Sequence, residues 1–210
     1  MANSSLNAEP LTGRADEILD AATDLFAERG YHDADTQGLC ELLGVGKGTI
    51  YRCFPSKREL FLAAVDRVMR RMQAHLEESI AKQDDPLERL AAAVRAFLDF
   101  FVAHPKYVEL LIQERALFRD RERPTYFAYR DRNKARWTEV YRALMAEGRL
   151  RTMPAEQISE VIGSLLYGTM FINHFTGQPK SSELQAREIL DIIKLGILSE
   201  SERRRHAPAG

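Results

Sequence analysis

The sequence has few of the features that identify secreted or membrane-embedded chains. Only two cysteines, Cys40 and Cys53, occur among its 210 residues, which is too few for a framework of disulfide bonds. No run of about 18 apolar residues is present, so no segment is predicted to span a membrane. The N-terminal stretch 1–13 combines neither a basic start nor an apolar core, and we do not expect a signal peptide. These absences favour a cytoplasmic protein without a membrane partner.

The chain also lacks a large net charge of either sign. It has 30 Lys and Arg residues against 31 Asp and Glu residues. This balance excludes a protein coated in positive charge, but it does not exclude a small basic patch, because the local field steers a polyanion. With 45% apolar and 29% charged residues, the composition is that of a globular chain. Its length allows one or two domains with a substantial core.

Alternation of apolar and polar residues, the pattern of a half-buried strand, is absent as well. Apolar residues recur instead at helical spacing, and glycine or proline marks the ends of most periodic segments. The first helix is expected over 14–30 and the last over 182–202. The pattern as a whole predicts an all-α fold of about nine helices, of which three near the N-terminus are short.

The stretch GVGKGTIYRCFPSK, residues 44–57, concentrates small and basic residues and has no acidic residue. A short helix on either side of a turn that contains Gly44 and Gly46 is typical of a helix-turn-helix unit. We expect a small core behind the two helices, formed by Leu39, Leu43, Val45, Ile50 and Phe54. The opposite, outer surface then consists of Gly46, Lys47, Gly48, Thr49, Arg52 and Cys53.

These outer residues suit contact with nucleic acid. Small residues let the backbone approach another surface closely. Lys and Arg can bind guanine edges or phosphates, and Thr can contact a base edge or a thymine methyl group. Lys57 falls in the first turn of the next helix, where a phosphate ligand would explain an otherwise unfavourable cation. The alternative is a glycine-rich turn between core helices, flanked by solvated Lys and Arg residues.

Several short motifs occur at fixed spacing in this region: GY at 30–31, GV at 44–45, KGTIYR at 47–52, FPSK at 54–57 and EL at 59–60. With these motifs the stretch 14–62 resembles the DNA-binding domain of TetR-family transcriptional regulators. The resemblance implies a homodimer whose N-terminal helices bind a palindromic operator in double-stranded DNA. It also implies a larger C-terminal domain that binds a small effector, after which the DNA is released.

The resemblance assigns residues and boundaries. DNA contacts are expected at Gly46, Lys47, Gly48, Thr49, Tyr51, Arg52 and Lys57. The sequence differs from the family pattern at two positions in this region. Gly46 stands where Ser is usual, and Cys53, next to Arg52, stands where Tyr or His is usual. The expected regions are a disordered tail over 1–13, a helix-turn-helix domain over 14–60, an effector-binding and dimerisation domain over 61–200, and a flexible tail over 201–210.

Aromatic residues are frequent in the middle helices, and polar groups lie within helical reach of them. A cavity between the helices of a bundle would have such a lining, and the apolar bias indicates a hydrophobic effector. The alternative is ordinary core packing. The candidate effector-binding residues are Phe100, His104, Tyr107, Glu114, Tyr126, Trp137, Tyr141 and Asn173.

The last helix is apolar on more than one side, although a surface helix needs only one apolar stripe. The helix before it carries Gly163 and Gly168 among apolar residues, which would permit close packing of helices. A four-helix interface across a two-fold axis fits both observations, and burial inside a monomer is the alternative. The candidate interface residues are Leu165, Leu166, Ile189, Ile193 and Ile197.

No motif of a catalytic or metal site is present. The sequence contains no HExxH, CxxC or GxSxG pattern, and no glycine-rich phosphate loop follows a predicted strand. We therefore expect no enzymatic activity, no cofactor and no metal. The leading hypothesis is a ligand-controlled, sequence-specific DNA-binding regulator, most simply a repressor. A helical-bundle protein that binds or converts a small molecule without binding DNA is the alternative.

Overall fold

The computed structural model describes residues 13–177 and 180–196, and every regular element in these residues is an α-helix. The predicted all-α fold is confirmed for this part of the chain. The predicted tails, 1–13 and 201–210, lie outside it except for Gly13, where the first helix begins. In chain order the nine helices of the described residues are α1 (Gly13–Asp33), α2 (Thr36–Leu43), α3 (Lys47–Cys53), α4 (Lys57–Ala81), α5 (Pro86–Ala103), α6 (Pro105–Leu117), α7 (Thr125–Ala146), α8 (Ala155–Thr176) and α9 (Ser182–Leu195).

Side-chain caps fix the beginnings of three helices. The carboxylate of Asp35 accepts a hydrogen bond from the backbone N–H of Gln37 at the start of α2, and the Ser56 hydroxyl accepts one from Glu59 at the start of α4. Asp85 accepts from two backbone N–H groups at the start of α5. Such caps replace the intrahelical partners that the first N–H groups of a helix lack.

Glycine caps the ends of three described helices: Gly44 and Gly177 where expected, and Gly196 earlier than expected. Gly44 adopts φ 62 and ψ 37 directly after α2, as the sequence predicts. Gly196 has φ 73 and ψ −176, so α9 ends at Leu195 and does not continue through residue 196. The predicted span 182–202 was therefore wrong at this point, because Gly196 adopts a left-handed, non-helical conformation there; residues 197–202 lie outside the described part of the chain.

Helix α4 is central to the packing of the molecule. It packs against α1, α5, α6 and α7, and its residues Phe61 and Val65 are fully buried. A smaller apolar cluster around Tyr141 joins α5, α7 and α8. Because α4 begins at Lys57 and ends at Ala81, it belongs to both of the predicted domains. Among the helices described here, none combines the length and the hydropathy that a membrane span requires.

The end of α1 is held against α6. The backbone N–H of Tyr31 donates to Oε1 of Gln113 at 2.6 Å. Gly30 has φ 72, and a Cβ atom at this position would lie 2.6 Å from Nε2 of Gln113. Closer to the start of α1, Nε of Arg67 in α4 donates to Asp20 at 2.8 Å. The N-terminal helices are therefore joined to the larger bundle through both α4 and α6.

Candidate nucleic-acid interface and internal cavity

Helices α2 and α3 form a compact pair with a shared apolar inner side. Leu39, Ile50 and Phe54 are buried, and Leu43 and Val45 pack against them with part of their surface exposed. The turn between the helices is short, because Gly44 reverses the chain in the left-handed conformation and α3 begins at Lys47. The small core that the sequence predicts behind this helix pair is confirmed.

The opposite side of the pair faces solvent. Lys47, Gly48 and Arg52 are exposed, and Thr49 is half-buried. Gly46 occupies the N-cap position of α3 with extended backbone angles, and no side chain caps this helix. Within the described residues neither Lys47 nor Arg52 forms an ion pair. The surface therefore offers two cations and a hydroxyl group beside two glycines, over a helix of seven residues.

The other two residues assigned to DNA contact have partners within the protein. The hydroxyl group of Tyr51 lies 3.2 Å from Oγ1 of Thr36. Nζ of Lys57 donates to the backbone carbonyl of His32 at 3.0 Å and lies 5.1 Å from the ring centroid of Tyr31. An ammonium group has three N–H donors, so the bond to His32 leaves donors for a further acceptor. Lys57 thus braces the end of α1 and still has donors for a phosphate.

An apolar cavity of about 130 Å³ lies between α4, α5, α7 and α8. Aliphatic and thioether groups from α4 and α5 form one side of it, and aromatic rings from α7 form the other. Neither the Tyr126 nor the Tyr141 hydroxyl group forms a hydrogen bond with another described residue, although both side chains are more than nine-tenths buried. Burial raises the pKa of both phenols, so they are neutral donors. The principal lining residues are Met69, Met72, Phe97, Tyr126, Trp137 and Tyr141.

Charged groups gather at one edge of this cavity. Nη2 of Arg130 donates to Oε1 of Glu160 at 3.2 Å, and Nζ of Lys134 donates to Oε2 of the same carboxylate at 3.0 Å. All three side chains contribute to the cavity wall. The hydrogen bond from Lys134, together with the charges of Lys134 and Arg130, lowers the pKa of Glu160. Two cations therefore share one anion where α7 and α8 meet.

The structure brings only part of the predicted effector-binding set to this cavity. Tyr126, Trp137 and Tyr141 line it. Phe100, His104 and Tyr107 form a separate aromatic group, in which the rings of His104 and Tyr107 are 4.9 Å apart. Asn173 exchanges two hydrogen bonds with the side-chain amide of Gln185 in α9.

Glu114 also lies away from the cavity and has a structural environment of its own. Its side chain is only 1% exposed and accepts hydrogen bonds from the backbone N–H and the hydroxyl group of Thr125. Nε of Arg121 lies 3.2 Å from the same carboxylate. Burial raises the pKa of Glu114, and the bonds from Thr125 act in the opposite direction. Because Thr125 begins α7 and Pro124 offers no capping side chain, Glu114 serves as the cap of α7.

Arg130, Lys134 and Glu160 are absent from the residues that the sequence interpretation selected. Charges of both signs alternate between residues 119 and 136, a pattern that is typical of a solvated helix face. A signal is nevertheless present, because the cavity residues of α7 recur at helical spacing along one face. They are Tyr126, Arg130, Asn133, Lys134, Trp137 and Tyr141.

Helices α8 and α9 expose a band of large apolar side chains. Ile172 and Phe175 in α8 are 63% and 71% exposed, and Ile192 in α9 is 54% exposed. The bonds between Asn173 and Gln185 hold the two helices side by side, and large exposed apolar side chains on neighbouring helices are typical of an interaction site. We call this surface the α8–α9 face; its members are Val161, Leu165, Ile172, Phe175, Leu184, Ile192 and Leu195.

The predicted interface residues fall only partly on the α8–α9 face. Leu165 belongs to it. Leu166 and Ile193 are partly buried against the core of their own chain, and Ile189 is buried in that core at 9% exposure. The inner side of α9 packs mainly on α5, and an exposed side of the helix is left over. Ile197 lies outside the described residues.

Two family models match the chain, one over the N-terminal helices and the other over the helices that follow. The model described as "Bacterial regulatory proteins, tetR family" matches residues 18–64, and the model "Tetracyclin repressor-like, C-terminal domain" matches residues 83–170. Together they span more than half of the sequence. Their junction falls within and just after α4, the helix that both parts of the fold share.

Individual relatives agree with these matches. The HTH-type transcriptional activator FasR of Mycolicibacterium smegmatis is 36% identical over 94 residues, which are 45% of this chain and 43% of that protein. Matching sequence thus spans less than half of this relative's length. The fatty acid degradation regulator FadR from Bacillus halodurans has a TM-score of 0.75 at 17% identity, covering 90% of this chain and 98% of that one. FadR from Bacillus subtilis, solved with stearoyl-CoA, has a TM-score of 0.70 at 18% identity, covering 87% and 99%.

The two solved structures share the fold of this chain, and the family models match both its helix-turn-helix region and its helical bundle. The N-terminal match, residues 18–64, includes the residues that form the inner core and the exposed surface of α2 and α3. The chain therefore belongs to the TetR family of bacterial regulatory proteins.

Proposed function

We propose that this chain is a sequence-specific DNA-binding regulator of transcription, which acts as a homodimer and releases its operator when a small hydrophobic effector binds. The observation that carries the proposal is the division of α3 into two sides. Ile50 anchors the inner side with no exposed surface, while Lys47, Gly48 and Arg52 face outward. A helix held in this way can enter the major groove without losing its own packing.

The outer residues have separable roles in this proposal. Lys47 and Thr49 lie near the start of α3, the part of a recognition helix that contacts base edges. Gly46 and Gly48 allow the backbone to approach the DNA closely. Tyr51, Arg52 and Lys57 contact phosphates, which sets the orientation of the helix but carries no sequence information.

The homodimer accounts for the α8–α9 face. A second copy of the chain would bury Ile172, Phe175 and Ile192 across a two-fold axis, and it would present two α3 helices to the two halves of a palindromic site. Binding of the second helix is then intramolecular, which raises affinity by about 10² or more. This gain is needed because α3 has only seven residues and two exposed cations.

Helix α4 offers a physical route from effector to DNA. Met69 and Met72 in α4 line the cavity, and the same helix begins at Lys57, which braces the end of α1. A ligand that separates α4 from α7 would shift the start of α4 and with it the helix pair α2–α3. The Bacillus subtilis relative solved with stearoyl-CoA supports an effector with a substantial apolar part.

Binding-site selection from random double-stranded DNA tests the proposal. The wild-type chain should recover a two-fold-symmetric sequence, and Lys47→Ala should recover an altered sequence or bind the original one less tightly. Lys82→Ala is the matched control, because Lys82 is an exposed lysine at the far end of α4 that pairs only with Glu78. If no sequence is enriched above the input, the chain is not a sequence-specific regulator.

A further inference from the structure

The charged edge of the cavity has an excess of positive charge. Arg130 and Lys134 both donate to Glu160, so two cations share a single carboxylate. The side chains of Arg130 and Lys134 are 25% and 35% exposed, and that of Glu160 is 54% exposed. The two donors are therefore partly sheltered by the cavity wall, whereas their shared acceptor extends toward solvent.

Two neutral hydrogen-bond donors of the cavity wall also favour a ligand that carries an acceptor. Tyr126 and Tyr141 line the cavity, and neither hydroxyl group donates a hydrogen bond to an acceptor among the described residues. The ionised state of Glu160 is stabilised by Lys134 and Arg130, so this carboxylate acts as an acceptor. Within the described part of the chain, Glu160 is the one acidic residue that lines the cavity. The cavity wall thus supplies several donors and only one charged acceptor, which two cations already neutralise.

From this arrangement we infer that the cavity takes an amphiphilic anion, whose charged group replaces the Glu160 carboxylate on Arg130 and Lys134 while its apolar part lies among the aromatic and methionine side chains. The inference rests on the proposed function, in which this ligand is the effector that releases the DNA, and it specifies that the effector is negatively charged. In the absence of ligand, Glu160 holds the two cations in place. It therefore weakens the binding of every competing anion and leaves neutral ligands unaffected.

The size of the cavity sets a second condition. A cavity of about 130 Å³ is close to that of an engineered apolar cavity of roughly 150 Å³ that admits benzene. A single ring or a short chain therefore fits the arrangement as it stands. A longer chain requires Met69 and Met72 to move, which unbranched thioether side chains allow more readily than branched ones.

Trp137 provides a direct measurement of ligand binding, because it lines the cavity and is the only tryptophan in the sequence. We would titrate the full-length chain with decanoate, 1-decanol and decyltrimethylammonium, and follow the Trp137 emission. These probes have similar apolar chains and differ in charge. Wild type should bind decanoate most tightly and decyltrimethylammonium least tightly.

Two variants then locate the charge preference. Glu160→Gln should tighten decanoate binding by about threefold to tenfold, because an exposed ion pair is a weak competitor, and should leave 1-decanol unchanged. Arg130→Gln combined with Lys134→Gln should bind decanoate no better than 1-decanol. Glu156→Gln is the matched control: Glu156 lies one turn earlier in α8 and pairs with Arg142, away from the cavity.

Three results would overturn the inference: tightest binding of the cationic probe, an equal effect of Glu160→Gln on decanoate and 1-decanol, or no change in emission with any probe. Operator binding of the same preparations is measured separately. Selection of a DNA sequence without any amphiphile binding refutes the inference and leaves the DNA-binding proposal intact. Charge-selective binding of decanoate without any DNA selection refutes the regulator and leaves the ligand class intact.

Discussion

The outer surface of α3 and the cavity between α4, α5, α7 and α8 are assembled in opposite ways. All the side chains of the α3 surface come from one stretch of about a dozen residues, and their orientation follows from local helix geometry. The cavity takes its wall from four helices between residues 69 and 166. The first site therefore depends on a short motif, whereas the second depends on how distant helices pack. Substitutions in different parts of the molecule should therefore affect stability, dimer formation and DNA binding to different degrees.

The largest effect is expected on the inner side of α3. Ile50→Ala removes a side chain with no exposed surface and should lower the free energy of unfolding by about 2–5 kcal/mol, with loss of DNA binding. Denaturant unfolding measures the change. Lys47→Ala on the outer side of the same helix should stay within about 0.5 kcal/mol of wild type. A loss of stability below about 1 kcal/mol for Ile50→Ala would mean that the inner side does not anchor α3.

The next effect concerns the two sides of α9. Ile192→Asp places a carboxylate on the α8–α9 face and should cost at least about 2 kcal/mol if that face is buried between subunits. Sedimentation should then show a monomer, and operator affinity should fall with it. Ile189→Ala, on the side of α9 that packs on α5, should instead reduce stability and leave the oligomeric state unchanged. A dimeric Ile192→Asp variant would place the subunit interface elsewhere.

A smaller effect is expected where α3 would face base edges. Thr49→Ala and Lys47→Ala should change the preferred operator sequence, because each base contact contributes about 1–3 kcal/mol of discrimination. Binding-site selection on both variants, with Arg52→Ala for comparison, measures this effect. Arg52→Ala should weaken binding to all sequences by a similar factor. Identical recovered sequences for all variants would show that these side chains read no bases.

Lys57→Ala should have a modest effect, which shows whether Lys57 mainly binds DNA or mainly stabilises the end of α1. If Lys57 binds a phosphate, the slope of log affinity against log salt should fall by about 0.9. If its bond to the His32 carbonyl is the more important contact, thermal stability should fall and the slope should stay unchanged. Measuring operator affinity over a series of salt concentrations separates the two.

For Glu114, the direction in which stability changes with pH tests whether burial or hydrogen bonding dominates its pKa. Burial raises the pKa of Glu114 in the folded chain, so the folded state holds a proton that the unfolded state releases as the pH rises above about 4.3. The contribution of Glu114 to stability is complete below the unfolded pKa and is lost as the pH rises through the folded pKa. The stability of wild type relative to Glu114→Gln should therefore decrease over this range in denaturant titrations at a series of pH values. The opposite trend would show that the bonds from Thr125 outweigh burial.

Sequence reasoning was most successful where structure is local. The helix pair α2–α3 and its inner core follow from spacing and residue type over a few residues. Most helix ends followed from glycine and proline for the same reason. The end of α9 was misplaced because apolar residues continue at helical spacing beyond Gly196 in the sequence, so periodicity favoured a continuing helix.

The cavity and the α8–α9 face could be predicted only in part, because each depends on which side of a helix meets a distant neighbour. Tyr126 and Tyr107 are both aromatic residues in the middle of the chain, yet only Tyr126 faces the cavity, whereas Tyr107 accepts a hydrogen bond from Arg71. Ile189 and Ile192 are similar in sequence, yet one is buried against α5 and the other is exposed. Periodicity indicates that a helix has an apolar side, but it does not identify the partner of that side.

The close approach of Gly30 to Gln113 has a consequence for how the two parts of the fold can be separated experimentally. A Cβ atom at position 30 would require the Gln113 side chain to move and its bond to the Tyr31 N–H to break or lengthen. Position 30 contributes neither to the outer side of α3 nor to the cavity wall. A single added methyl group would therefore displace the Gln113 side chain and strain the backbone at a positive φ, while leaving the atoms of both candidate binding sites unchanged. This glycine thus allows the contact between α1 and α6 to be weakened independently of either site.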